Sequence, residues 1–174
     1  MNAGGALVGL LAVASVLVPW YRKHGSKAGG GDKGSPGGKG RNLKALAPFG
    51  WTLVLGTLSS LAVGGWMGAA AHGVGAGSNT VGAKLLSSLA GANSPAVTRR
   101  GIAMLNPGGA VMLVLVLIGC IIWFWMNRRG VRLQMAAGYI AGATLGPTAG
   151  LAGVAGVVLA PIANTVGGYL VGLL

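Results

Sequence analysis

Carboxylates are all but missing from this chain: Asp32 is the single acidic residue in 174. Chemistry run by a pair of carboxylates needs two of them around one substrate, so that class of reaction is excluded. Histidine is nearly as scarce, with His24 and His72 alone. Neither falls in a recognisable arrangement of nucleophile, base and acid. Neither has the Cys, Asp or Glu companions that a metal site needs. Cysteine occurs once, as Cys120 inside an apolar run, which excludes an intrachain disulfide. No enzyme activity, metal or cofactor is expected.

Charge of any sign is also short, at 8% of residues against the ~25% of an ordinary soluble domain. What fills the chain instead is apolar, at 53%, with glycine supplying 35 positions. A soluble fold of this length has to cover itself with water-compatible groups, and there are too few here. Lipid serves as solvent for such a surface. The expected fold is all-α: a polytopic bundle of about four transmembrane helices in one membrane domain, with five spans as the alternative.

The first apolar run covers residues 3–21, close to the ~20 residues that cross a bilayer. Its bases, Arg22 and Lys23, follow the run rather than precede it, the reverse of a cleaved signal peptide. The second span is expected over 49–71 and the third over 110–126. From Leu133 to Leu174 no charge occurs for 42 residues. As one helix that tract would run ~63 Å at 1.5 Å per residue, twice the hydrocarbon thickness. Pro147 and Pro161 are the expected interruptions. One span over 136–159 with a tail at 160–174 is the first expectation. Two hairpinned spans turning near 153–156 are the alternative.

The linker 22–48 carries seven bases, Arg22, Lys23, Lys27, Lys33, Lys39, Arg41 and Lys44, separated by glycine and serine. Such a segment has much chain entropy and little apolar surface to offset its ordering. The connector 72–109 holds two expected short helices. One is the Val81, Leu85, Leu89 repeat behind Ser78 and Asn79, ending at Gly91; the other starts at Ser94-Pro95. With the N-terminus outside, ten bases fall in the cytoplasm and three (Lys84, Arg99, Arg100) outside, which obeys the positive-inside bias. Trp20, Tyr21, Phe49, Trp51, Trp123, Phe124 and Trp125 then sit at cytoplasmic span ends, where amphipathic rings favour the interface. The expected location is the inner, cytoplasmic membrane.

Two four-residue ladders carry the candidate packing residues. The second span offers Gly56, Ser60, Gly64 and Gly68, flanked by Thr52 and His72. The last tract offers Gly138, Gly142, Gly146 and Gly150. Residues four apart share a helix face, and small side chains let backbones come close. Such faces serve packing within one subunit or self-assembly into a homo-oligomer, and both readings stand. The loop bases are candidates for anionic lipid or nucleic acid. SPGGKGR within the loop lacks the spacing and context of a phosphate-binding loop.

The hydropathy layout, the loop RKHGSKAGGGDKGSPGGKGRNLK and the ladder GYIAGATLGPTAG resemble two families of mobile genetic elements. One is the phage holins, which permeabilise the inner membrane. The other is the spread proteins of actinobacterial conjugative plasmids, to which the richness in glycine, alanine and arginine inclines. The resemblance implies a self-associating membrane protein that forms or supports a pore. The alternative is an accessory subunit of a membrane complex whose basic loop binds lipid, DNA or a partner during transfer.

Overall fold

A computed structural model of the chain describes residues 3–25, 43–62, 64–91, 105–126, 129–148 and 154–173. Among these the fold is helical throughout. Helix α1 spans Ala3–Gly25; after a 3-10 turn at Leu43–Leu46 come α2 (Ala47–Leu61), α3 (Gly65–Ala90), α4 (Pro107–Met126), α5 (Arg129–Leu145) and α6 (Val154–Leu173). Three helices are long and apolar enough to cross a membrane: α1, α4 and α6. The bent pair α2 and α3 makes a fourth if counted as one span. That is the composition of a multi-pass membrane protein.

The core mixes small residues with a few large ones such as Leu58 and Leu113, while many large aliphatics face outward. Ala141, Thr144, Ser59 and Ala160 have no exposure, whereas Leu10, Leu11, Ile121 and Ile122 have about half of their surface open. Water would penalise that arrangement, and a hydrocarbon surrounding does not. The buried hydroxyls cost little because each serves its own helix. Thr57 Oγ1 donates to Leu53 O at 2.9 Å, Ser59 Oγ to Leu55 O at 2.7 Å and Thr144 Oγ1 to Ile140 O at 2.7 Å.

The second span differs from the expected 49–71. The helix stops at Leu61, and α3 leaves at an angle of 101° to it. Ala62 turns extended, with ψ 124, and its amide closes the last turn on Ser59 O at 3.2 Å. Gly64 is extended and Gly65 sits at φ +75, a conformation that suits glycine. Gly64, which extends the ladder in sequence, lies in the break, whereas Gly68 lies inside α3. Helix α3 then continues through the expected connector, so Ser78 and Asn79 lie inside it and cap nothing. It ends at Gly91, in the left-handed region, with the Gly91 amide on Ser87 O. The expected helix from Ser94 lies outside the described residues.

The linker is shorter than 22–48 at both ends, since α1 keeps Arg22 in its last turn and Lys44 belongs to the 3-10 turn. Helix α4 starts at Pro107, three residues earlier than expected, behind Asn106. The Asn106 side chain accepts from the Gly109 amide at 2.8 Å, a helix cap. The helix expected over 136–159 is two helices instead. Pro147 ends α5 because the residue before a proline is pushed out of helical conformation. Thr148 closes the turn, its amide and hydroxyl both on Leu145 O. Pro161 interrupts nothing and lies within α6. One missing amide is tolerable in a helix whose other bonds are intact.

The most extensive packing is between α2 and α5, followed by α1 on α3, α4 on α6 and α1 on α5. Helices α2 and α5 run parallel: Gly138 lies against Phe49 and Thr52, Gly142 against Leu53 and Thr57, and Gly146 against Thr57 and Ser60. Helix α1 runs opposite to α5, with Gly9 near Thr144 and Trp20 sharing a cavity with Leu133. Arg132 stacks on Phe124 across the short break between α4 and α5. The Arg22 end of α1, the Lys44 turn before α2, the C-terminal end of α4 and the Arg132 end of α5 therefore gather at one end of the bundle.

Candidate functional site

The seam between α2 and α5 is built by the first ladder's lower half and the second ladder. A Cβ placed on Gly138 would stand 2.5 Å from Phe49 O, and one on Gly56 2.9 Å from the Ala143 amide nitrogen. One on Gly142 would meet Leu53 O, with the Thr57 amide nitrogen at 2.8 Å. One on Gly146 would lie 3.0 Å from Ser60 Oγ. Only a residue without a side chain fits the first three places. Gly64 does not belong to this seam: it lies in the break with open space around it. A Cβ on Gly68 would fall 2.7 Å from Ala62 O, inside its own bend, and would not meet a neighbouring helix of the seam. The break rotates both off the face that Gly56 and Ser60 share. Gly150 lies outside the described residues.

Two further glycine crossings escaped the sequence reading. On α1 and α3, a Cβ at Gly4 would fall 2.5 Å from the Ala83 amide nitrogen, and Gly5 abuts the Asn79 side-chain oxygen. On α4 and α6, a Cβ at Gly108 would fall 2.5 Å from the Gly168 amide nitrogen, and Gly109 abuts the Asn164 side-chain oxygen. The two crossings match in order and in residue type, except that Gly168 stands where the first has Ala83. The signal was present as Gly4-Gly5-Ala6 matching Gly108-Gly109-Ala110, and as Asn79-Thr80-Val81-Gly82 matching Asn164-Thr165-Val166-Gly167. Each glycine of one motif meets its own second motif, so α1 with α3 forms a unit that α4 with α6 repeats. Asn164 also accepts from the Asn106 amide at 3.0 Å, tying the start of α4 to α6.

Of the loop bases, Arg22 and Lys44 are described and exposed at the gathered basic end. The side chain of Lys23 lies outside the described residues, as do Lys27, Lys33, Lys39 and Arg41. Two grooves open at this same end. One, of about 350 Å³, is lined by Ser15, Pro19, Trp20, Ala45, Leu133 and Gln134 among others. The other, of about 330 Å³, lies between α2, α4 and α5 and has Arg132 on its wall. Arg132 Nε donates to Phe124 O at 3.2 Å, and its guanidinium lies 4.7 Å from the Phe124 ring centre. Trp51 Nε1 donates to Val116 O at 3.3 Å, pinning α2 to α4. His72 is exposed, and no group of metal-ligating residues occurs among the described residues. Compared with protein-family models, curated proteins and solved structures, the chain matches none.

Proposed function

We propose that this chain is an accessory subunit of a membrane complex, a compact helical platform that holds the cationic stretch from Arg22 to Lys44 at the cytoplasmic face. The observation that carries this reading is that Gly56, Ser60, Gly138, Gly142 and Gly146 all face one another within the chain. Helix faces that hold a subunit together are not free to hold copies of it. The ladders thus act as internal packing, and the loop is the part left to engage something else. Seven bases with one acid between them suit an anionic partner, either lipid headgroups or nucleic acid. No aromatic lies between Lys23 and Lys44, so base stacking is lacking and any DNA binding is sequence-blind. The inner membrane, an outside N-terminus and an origin in a conjugative element complete the reading.

A gel shift with the detergent-solubilised full chain and a short DNA duplex tests it. Binding that weakens steeply with salt and vanishes when Lys27, Lys33 and Lys39 become Gln supports DNA as partner. Salt-independent binding, or binding that survives those changes, removes the loop from the mechanism.

Self-association into a pore is a second reading, favoured by a different face. Gly73 and Gly77 stand four apart on α3, and a Cβ on either would meet open space, a spacing that suits helix association in lipid. Chemical crosslinking in membranes separates the two readings. Loss of crosslinked species in Gly73→Leu and Gly77→Leu variants favours the oligomer.

A further inference from the structure

We propose that the groove between α2, α4 and α5 is a binding site for an anionic phospholipid, with the phosphate on Arg132 and an acyl chain along Ile121, Met135 and Leu55. The inference rests on the membrane reading but is independent of the loop. The groove is almost wholly apolar, lined by Leu55, Cys120, Ile121, Met135 and Ala136, with Trp125 at its aromatic end. A single cation stands on that wall. Its Nε is engaged with Phe124 O and its plane is stacked on the Phe124 ring. Those two contacts fix the fork and leave its terminal nitrogens without a partner among the described residues. A planar fork held in this way suits a phosphate's paired oxygens, which a flexible lysine matches less well.

Position supports the same occupant. Phe124 is near the end of α4, beside Trp123 and Trp125, where a membrane helix meets the headgroups. Arg129 opens α5 three residues before Arg132, so the sequence is rich in bases at this break between helices. A neutral lipid would fill the apolar wall equally well but leave Arg132 without a counter-charge. A soluble anion would satisfy Arg132 but leave the apolar wall uncovered. The combination selects a molecule with both parts.

The test uses the full chain reconstituted in vesicles of equal phosphatidylglycerol and phosphatidylcholine, extracted in a neutral detergent, with retained lipid counted by mass spectrometry. The wild type should retain phosphatidylglycerol over phosphatidylcholine. Arg132→Gln should lower that retention roughly tenfold, the loss of one charge-assisted hydrogen bond, and Arg132→Lys should restore part of it. Ala136→Phe, which fills the groove from its exposed rim with Arg132 intact, should reduce retention as well. Changing Lys27, Lys33 and Lys39 to Gln should leave the retained lipid unchanged. Equal retention by wild type and Arg132→Gln overturns the site. So does a loss that follows the loop lysines and not Arg132.

Discussion

Gly142 of α5 lies so close to Leu53 of α2 that any Cβ on Gly142 would occupy the space of the Leu53 carbonyl oxygen. Backbone cannot retreat as a long side chain can, so the whole helix must move. Gly142→Leu is predicted to destabilise the bundle by about 3 kcal/mol or more, the upper range of overpacking. Gly64→Leu, in open space, should stay within about 0.5 kcal/mol of wild type. Thermal unfolding in detergent, followed by loss of helical circular dichroism, compares the two. Equal effects at both positions would remove the distinction between seam and break.

The repeated crossings predict matched crosslinks. With Cys120→Ala as background, cysteines at Gly5 and Asn79 should form a disulfide within one chain. Cysteines at Gly109 and Asn164 should do the same, because both glycines abut the corresponding asparagine oxygen. Non-reducing electrophoresis reads both. One pair closing without the other would break the equivalence of the two units.

Removing the cap at the start of α4 should be modest but measurable. Asn106→Ala loses the acceptor for the Gly109 amide and is predicted to cost about 1 kcal/mol. Asn106→Asp keeps the acceptor and should recover most of that loss in the same unfolding assay. A neutral alanine variant would show that the helix start is held by Asn164 alone.

Orientation is predicted from the bases. In the Cys120→Ala background, cysteine at Ser88, exposed near the end of α3, should react with an impermeant thiol reagent in whole cells. Cysteine at Ser35, in the basic loop, should react only after permeabilisation. The opposite pattern reverses the topology.

The helical class was legible because so few charges interrupt the apolar runs, and charge in a span is expensive whatever the packing. Pro147 was named as an interruption because its effect is local, yet the span expected over 136–159 ran across it. The break at 62–64 was not legible. Gly64 continues a four-residue spacing, and spacing alone does not distinguish a glycine that packs from one that bends the chain. Pro161 misled for the complementary reason, since a helix with its other bonds intact carries one proline. The spacing of Gly138, Gly142 and Gly146 put them on one helix face, but nothing local says which helix will lie against that face. The repeat of two short motifs went unread because the basic linker lengthens the first unit and shifts the register between them.

The central claim is that the two ladders close on each other inside one chain. Ser60 and Gly146 provide the most direct measurement, since a Cβ on Gly146 would stand 3.0 Å from Ser60 Oγ. Cysteines at both positions, with Cys120→Ala, would have Cβ atoms within the range a disulfide spans. Oxidation in native membranes, followed by non-reducing electrophoresis, should give a faster monomer and no dimer. A disulfide that appears only between two chains would contradict the account, because the ladders would then be an interface between copies.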